Sequence, residues 1–517
     1  MINTLHIRRK SYDAEEHFHS NRLVFAAWVV GYMGIILLTA RTIISSNVNP
    51  SLIAWLIFWS GIVVIAHTPR IGIYLIVGLT LAGDMAILPW YPFTKNMSSY
   101  ESLMFLSNAA IISPAEVFMT FTLGAWLIRP LFRRIFDWCG GALFVPMAVF
   151  SGSIVLSLGY GLVRGGDPTI ALWETRAILY IPLMYLLVVN LIRTPAQIQA
   201  VIWAAMLGVI AKAIAGLWYV GTVLQFDLSS VERIAEHPAS IHFNALIVMA
   251  MATWVYRSSA VQRLVLTSAL PIAIFSLFAN QRRASFVALG IAILLIALVL
   301  FRERRFSFFI IVPIATLFLA VYAAAFWNST TPIAMPARAI KSVISADESN
   351  ARDQASNMYR ILENINTMAT IRSAPIMGVG FGNKFLIVVS MADISTFVWW
   401  EYITHNSIMW IWMKAGLFGF AAMIFLIGSA LMLGAQAIWR LPNNGMGAIA
   451  LGSTLYLMMH FTFAYVDMSW SIQSMVYVGT SMGILSILEL TVKNHKPRHV
   501  ARWPWQPVPA APLPLRD

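Results

Sequence analysis

The stretch EYITHNS, residues 401–407, closes a polar segment that begins near residue 328. No other long polar segment interrupts a chain that otherwise alternates apolar runs with short connections. Within this segment, residues 349–372 place apolar side chains such as Met358, Ile361 and Ile365 at helical spacing, which predicts an amphipathic helix. We expect Pro375 to end this helix and the glycines of residues 378–382 to turn the chain back. The chemistry of the protein is therefore expected on or under this segment.

The composition is that of a membrane protein. Of 517 residues, 59% are hydrophobic and 11% are charged, and the mean hydropathy is +0.74. Soluble domains have about 25% charged residues. The apolar runs predict an all-α polytopic membrane protein with about 14 transmembrane helices of bilayer-crossing length. These runs lie near 23–43, 51–67, 71–92, 115–129, 141–162, 176–192, 199–222, 239–256, 263–280, 284–301, 306–327, 405–436, 446–465 and 470–490.

The basic residues orient these helices. If the tail 1–22 is cytoplasmic, the links expected inside carry most of the arginines, as the positive-inside rule requires. We then expect about 11 helices over 23–327, a large periplasmic loop over 328–404, three more helices over 405–490 and a basic, Pro-rich cytoplasmic tail over 491–517. The formal net charge of +13 is accounted for by these links, so no nucleic acid partner is expected. A single cysteine, Cys139, excludes an intrachain disulfide and a thiolate-cluster metal site.

Several basic residues lie on the predicted outer side, where the positive-inside rule disfavours them. Arg282 and Arg283 stand in a tight turn between two apolar runs, and two guanidiniums there suit a diphosphate because each can donate a bidentate pair of hydrogen bonds. Anchoring to lipid headgroups is the alternative for any one of them. Lys212 lies inside a span, where an ionised amine needs a partner, and Asp84 is the candidate for a structural ion pair.

His405 begins a predicted span, with Glu401 one helical turn earlier. That carboxylate could orient the imidazole, which makes His405 a candidate general base; an ordinary polar interfacial residue is the alternative. His237 and His242 match no metal-ligand spacing, so we expect neither a metal nor another cofactor. The Gly-x-Gly-x-Gly run at 378–382 follows no strand, so it is interpreted as a turn and not as a nucleotide loop.

Three segments resemble the O-antigen ligase and Wzy-type polysaccharide polymerase superfamily. Residues 374–383, with Pro375, Gly378 and Gly380, resemble its Pro-x-x-Gly-x-Gly segment. Residues 404–407, with Asn406 after His405, resemble its His-Asn motif, and 414–419 resemble the Gly-x-x-Gly helix that follows. Residues 282–285 are similar to its Ser-Arg-Gly turn; Arg283 matches the family arginine, while Arg282 and Ala284 depart from the Ser and the Gly.

The resemblance implies a GT-C-like fold and a metal-independent, inverting glycosyl transfer from an undecaprenyl-diphosphate-linked glycan at the periplasmic face of the bacterial inner membrane. His405 would be the base, and the amphipathic helix would form a lid over a lateral opening for the lipid tail. The diphosphate would be held by Arg283, Arg282, Arg176, Arg233 and Arg360.

The resemblance leaves the acceptor open. A polymerase would use another glycan and work with a chain-length regulator, a ligase would use lipid A-core, and a protein O-oligosaccharyltransferase would use a protein. The number of spans favours a polymerase. A transporter of lipid-linked glycans would predict an internal repeat with broken helices, which the sequence does not contain.

Overall fold

A computed structural model describes residues 50–133, 138–228, 231, 233–329, 331–344, 351–392 and 397–495. The chain divides into two units, Met1–Ser60 and Gly61–Asp517. In the first unit the described residues, 50–60, are helical and begin helix α1, Pro50–His67. The predicted tail 1–22 and the first predicted span, 23–43, lie outside the described residues, as does the end of the C-terminal tail.

Fourteen further helices lie in the described part of the second unit. They are α2 (Pro69–Ala82), α3 (Pro114–Arg133), α4 (Phe144–Val163), α5 (Pro168–Leu191), α6 (Pro195–Thr222), α7 (Ala239–Val255), α8 (Ala260–Ala279), α9 (Arg283–Glu303), α10 (Arg305–Phe326), α11 (Met335–Ile344), α12 (Ala351–Ser373), α13 (Ser407–Arg440), α14 (Gly445–Ala464) and α15 (Ile472–His495). A short 3₁₀ turn, Pro332–Ala334, precedes α11.

The starts of several helices follow from local sequence. Proline occupies an early position in α2, α5 and α6, where its missing N–H is not needed. Asp167 caps α5 by accepting hydrogen bonds from the backbone N–H groups of Thr169 and Ile170, at 2.8 and 3.0 Å. Thr194 and Gln197 form a capping box at the start of α6. These signals fix where the three helices begin.

The predicted fold class is confirmed: the described chain is helical and contains no strand. Ten of its helices have the length and apolar composition to cross a membrane, and α2, α7 and the first part of α3 are shorter apolar helices. Every predicted span after the first overlaps one of these helices. The exact number of spans stays a prediction.

The connections between successive helices of the second unit lie alternately at one end of the helices and at the other. At one end, His237 contacts Asp467 across more than two hundred residues of sequence. At the other end, the amide of Asn443 donates to Glu303, and the guanidinium of Arg302 donates to the carbonyl of Trp439. The links with Arg302 and Arg440, which the sequence assigns to the cytoplasm, lie at this second end.

The predicted amphipathic helix is present as α12, but it turns its polar face towards the protein. Glu363 is 2% exposed and Asn366 is fully buried, whereas Met358, Ile361 and Ile365 are 55%, 53% and 44% exposed. The side chain of Asn366 accepts hydrogen bonds from the backbone N–H groups of residues 388 and 389, at 2.9 and 2.8 Å. The polar stripe of α12 therefore holds the returning chain, and the apolar stripe faces outward.

The glycine-rich turn that follows α12 is locked into a break in α13. Gly378, Gly380 and Gly382 have φ angles of +71°, +81° and +83°, which favour glycine, so the predicted turn is confirmed. Gly416, with φ 65° and ψ −169°, interrupts α13. A Cβ atom at Gly416 would lie 2.0 Å from the carbonyl oxygen of Ile376. Only glycine permits this close approach of the two backbones.

A buried ion pair supports the same junction. The ammonium of Lys414 lies 2.7 Å from Oε1 of Glu174, and both side chains are at most 1% exposed. Oε2 of Glu174 accepts a hydrogen bond of 2.6 Å from the backbone N–H of Gly382, and the Lys414 ammonium donates to the carbonyl of Asn383. Because both charges have polar partners, the pair is satisfied in the interior. It ties α5 and α13 to the turn.

Candidate active site

His405 lies two residues before the start of α13 at Ser407, and its imidazole is oriented by a carboxylate. Asn406 caps the helix by accepting a 3.0 Å hydrogen bond from the backbone N–H of Met409. Nδ1 of His405 lies 3.1 Å from both carboxylate oxygens of Glu363, whose Oε2 also accepts the backbone N–H of His405 at 2.8 Å. A carboxylate accepts hydrogen bonds, so this geometry assigns the proton to Nδ1. Nε2 then carries the lone pair of a base.

The carboxylate that orients His405 is not the predicted one. Glu401 does not precede His405 on a shared helix, because α13 begins only at Ser407. Its carboxylate instead pairs with the ammonium of Lys384 at 2.6 Å. Glu363, from α12 and 42 residues away in sequence, takes the orienting position.

Asp467 is the centre of a second polar cluster. Its Oδ1 lies 2.7 Å from Nδ1 of His237, and its Oδ2 lies 3.5 Å from Arg360 and 4.0 Å from Arg282. Arg282 also donates to Nε2 of His237 at 3.0 Å. A guanidinium can only donate, so Nε2 accepts and Nδ1–H donates to Asp467. His237 is thereby held as the neutral tautomer.

The electrostatics of this cluster agree with its geometry. Burial would raise the pKa of Asp467, but His237, Arg360 and Arg282 outweigh it and hold that pKa well below the usual range. Burial lowers the pKa of His237; the Asp467 carboxylate opposes this shift, and the nearby Arg282 and Arg233 add to it. At neutral pH the carboxylate is therefore charged and the imidazole is neutral.

Two cavities meet at this cluster. The smaller, of about 300 Å³, is rich in arginine and is lined by Arg282, Arg283, Arg338, Ser356, Arg360 and Asp467 among others. The larger, of about 670 Å³, has six aromatic residues in its wall: Trp173, Tyr359, Phe397, Trp399, Trp410 and Trp470. Its charged and titratable wall includes Arg233, Glu236, His237, Arg282, Arg360 and His405. Arg282, Ser356 and Arg360 line both cavities, so the two are neighbours.

The predicted arginines therefore have different positions. Arg283 opens α9, lines the smaller cavity and donates to the amide oxygen of Asn357 at 3.1 Å. Arg282 and Arg360 lie between the two cavities, and Arg233 is exposed on the wall of the larger one.

Arg176 lies apart from the other predicted arginines. Its guanidinium forms an ion pair with the carboxylate of Glu116, from α3, and donates to the side chains of Tyr180 and Asn96 at 3.1 Å each. It lines neither cavity. This engagement does not fit the predicted diphosphate contact, because Nε and Nη2 of the guanidinium already have protein partners.

The predicted ion pair of Lys212 and Asp84 is confirmed. Its charged atoms are 3.8 Å apart and each side chain is 1% exposed. The Lys212 ammonium also lies 3.4 Å from Nδ1 of His242. His237 and His242 thus have separate partners, and the described residues contain no group of three or more His, Cys, Asp or Glu arranged to hold a metal ion.

The sequence analysis did not identify Glu363 and Asp467, and it assigned no role to Arg338. Asp467 carried a usable signal, because it is a lone acidic residue in the short link between two apolar runs that the topology places on the outer side. Glu363 had no such signal, since several charged residues share its helix.

A comparison with curated proteins finds no match to this chain. A family model described as O-antigen ligase, Wzy_C, matches residues 268–424. That region includes the 282–285 turn, the 374–383 segment and the 404–419 motif. The resemblance to the O-antigen ligase and Wzy-type superfamily, which those three segments indicated, is therefore confirmed over residues 268–424.

Proposed function

We propose that this protein is a glycosyltransferase of surface polysaccharide assembly. It moves a glycan from an undecaprenyl diphosphate carrier to a hydroxyl of an acceptor, at the periplasmic face of the bacterial inner membrane. The family match supports an enzyme of surface polysaccharide assembly in a membrane. The donor, the reaction and the residue roles are our proposals.

One observation carries the proposal: an oriented base and a group of guanidiniums line two adjoining cavities. His405, with Nδ1 engaged by Glu363, lines the larger cavity and has Nε2 as its remaining basic nitrogen. Arg282, Arg283 and Arg360 line the smaller one. Glycosyl transfer from a diphosphate needs these two elements, a base for the acceptor and positive charge for the leaving group.

The reaction follows from these positions. Nε2 of His405 takes the proton of the acceptor hydroxyl while its oxygen forms a bond with the anomeric carbon of the donor. The bond from that carbon to the diphosphate breaks, and undecaprenyl diphosphate leaves with the electron pair. Attack from the face opposite the leaving group inverts the anomeric configuration. Glu363 stabilises the imidazolium, and Arg283, Arg282 and Arg360 stabilise the charge that develops on the diphosphate. We assign this charge stabilisation to guanidiniums, so the proposed reaction is metal-independent.

The proposed acceptor is another repeat unit, which makes the enzyme a polymerase. The description of the matching family as O-antigen ligase supports lipid A-core as a second candidate acceptor. The two differ in one assay. Lipid-linked repeat unit alone gives a ladder of longer glycans with a polymerase, whereas a ligase gives product only when lipid A-core is added.

The test is transfer by the purified full chain in lipid nanodiscs, with undecaprenyl-diphosphate-linked repeat unit from the producing strain as the donor. Arg283→Ala should lower transfer about a hundredfold, the usual effect of losing a charged transition-state contact. Arg283→Lys should recover only part, because lysine keeps the charge but not the planar fork. Arg372→Ala is the matched control, since Arg372 is exposed and lines neither cavity.

Each of three results would contradict a different part of this proposal. Absence of transfer by the wild type with either acceptor would refute the proposed reaction. Full activity of Arg283→Ala would make Arg283 a lipid anchor, and loss of wild-type activity in chelator would contradict the metal-independent mechanism.

The proposed orientation places the site end of the second unit outside. Ser329 follows α10 at the site end, and Asn443 precedes α14 at the opposite end. With Cys139 replaced, a membrane-impermeant thiol reagent added to intact spheroplasts should label a cysteine at 329 and not one at 443. Labelling of both positions would contradict this topology.

A further inference from the structure

Two indole rings face each other in the wall of the larger cavity. Trp173 belongs to α5, and Trp399 lies six residues before His405. Their ring centroids are 5.9 Å apart and the rings are inclined by 32°. Both side chains are half-buried and both line the cavity that contains His405.

These two tryptophans differ from the other two in the same wall. The indole N–H of Trp410 donates to the carbonyl of Tyr402 at 2.9 Å, and that of Trp470 donates to the carbonyl of Ser407 at 3.2 Å. Trp410 and Trp470 thus serve the packing around the start of α13. For Trp173 and Trp399, no hydrogen bond from the indole N–H is found in the described part of the chain. Because both side chains line the cavity, these two donors are available to a ligand that enters it.

Trp173 is held in place by the arginine that the sequence analysis had assigned to the diphosphate. The guanidinium carbon of Arg176 lies 4.8 Å from the centroid of the Trp173 ring, in a cation–π arrangement. Arg176 is itself fixed by Glu116. One ring of the aromatic pair therefore has a rigid backing, which costs less entropy on binding than a mobile ring does.

The position of the base identifies the substrate that this pair meets. Under the proposed function, on which this inference rests, His405 must reach the acceptor hydroxyl. His405 lines the larger cavity and does not line the arginine-rich one. The acceptor therefore occupies the larger cavity and the diphosphate occupies the smaller one, with Arg282 and Arg360 between them.

We propose that Trp173 and Trp399 form the binding subsite for the acceptor sugar. A pyranose ring presents C–H groups on its faces and hydroxyls around its edge. The C–H groups carry a small positive charge that suits the electron-rich face of an indole, and the hydroxyls can accept a hydrogen bond from an indole N–H. The cavity volume of about 670 Å³ lies within the range typical of ligand sites, about 300–1,000 Å³.

The experiment separates acceptor binding from the chemical step. The donor is undecaprenyl-diphosphate-linked repeat unit, and the acceptor is the same repeat-unit oligosaccharide released from its carrier by mild acid and varied in concentration. Trp173→Ala and Trp399→Ala should each raise the KM for the acceptor on the order of tenfold, while kcat and the KM for the donor change little. Trp173→Phe and Trp399→Phe keep an aromatic face but lose the N–H donor, so their KM for the acceptor should lie between those of the wild type and the alanine variants.

Trp254 is the matched control. It also has an arginine over its ring, Arg263 at 4.9 Å, but it lines neither cavity. Trp254→Ala should leave the KM for the acceptor unchanged. Two results would overturn the proposed subsite and leave the proposed function standing. In the first, the alanine variants at 173 and 399 keep the wild-type KM for the acceptor. In the second, these variants lose kcat while the KM for the acceptor is unchanged. Phenylalanine variants that fold and bind the acceptor as poorly as alanine would also overturn the subsite. Failure of the proposed function is distinct, because then the wild type itself gives no transfer.

Discussion

The carboxylate of Glu363 accepts both the Nδ1–H and the backbone N–H of His405, and so fixes the imidazole in position and in tautomer. The edge of the Tyr359 ring packs against the same imidazole, with centroids 5.6 Å apart. The base is thus held from two sides by α12.

This relationship predicts a ranking of variants. His405→Ala should lower transfer roughly a hundred- to ten-thousand-fold, the usual effect of losing a general base. Glu363→Gln should lower kcat more than tenfold and by up to about ten-thousand-fold, because the orienting charge is lost. Glu401→Gln is the control and should be nearly neutral, since Glu401 pairs with Lys384. Steady-state transfer assays on equal amounts of folded protein measure this order, and a larger loss at Glu401 than at Glu363 would contradict it.

Arg176 should matter to stability and not to the donor. Arg176→Met leaves Glu116 without its counter-ion, in a pair whose side chains are 10% and 14% exposed. Breaking a buried pair costs up to about 3–5 kcal/mol, so the thermal midpoint in detergent should fall clearly. Adding Glu116→Gln should restore much of the loss, because the uncompensated charge is removed.

Donor kinetics provide the opposite outcome for Arg176. If the Arg176→Met protein is stable and its KM for the donor rises as much as that of Arg283→Ala, Arg176 contacts the diphosphate after all.

Gly416 should not tolerate a side chain. Its backbone lies in a region that is essentially confined to glycine, which costs other residues about 1–3 kcal/mol, and a Cβ atom would also collide with the carbonyl of Ile376. Gly416→Ala should therefore lower the thermal midpoint and the yield of folded protein. Gly428→Ala, in the same helix and with no atom within 4 Å of its added methyl, should be neutral or stabilising. Equal midpoints for the two variants would show that the junction adapts.

The outward face of α12 should lie in lipid. Asn357 contacts Arg283 at the start of a spanning helix, and the carbonyl of Pro375 accepts from the backbone N–H of Leu417, about 15 Å along α13. The helix between these points thus packs alongside the first part of α13, a candidate membrane span, with Ile361 exposed.

A bimane label measures this contact. At a cysteine introduced in place of Ile361, brominated lipid should quench the label and aqueous iodide should not. Thr367, buried on the opposite face of α12, provides the control position. Quenching by iodide alone would place this face in water.

The helices were predictable because hydropathy is a local property: the residues of each apolar run are enough to identify it as a membrane-spanning helix. The periodicity of α12 was equally local, but it did not say which stripe is buried. In a soluble protein the stripe of Ile361 would face inward, whereas here it is exposed and we predict that lipid covers it.

The partners of the site residues were harder to predict from the sequence. Glu401 is close to His405 in sequence, but the helix that would have joined them begins too late. The actual partner, Glu363, and the counter-ion of Arg176, Glu116, are 42 and 60 residues distant. Such pairings depend on how the helices pack, which no single segment encodes.

Asp467 has a consequence for turnover. Two of the guanidiniums that we propose for the diphosphate, those of Arg282 and Arg360, already share this carboxylate as a counter-ion. A diphosphate that binds there exchanges one anionic partner for another, and the free energy gained is only the difference between the two pairings. When the spent carrier departs, both arginines return to Asp467 and are not left uncompensated. Under the proposed function, the internal carboxylate would therefore limit how long the diphosphate product is retained and would favour its release.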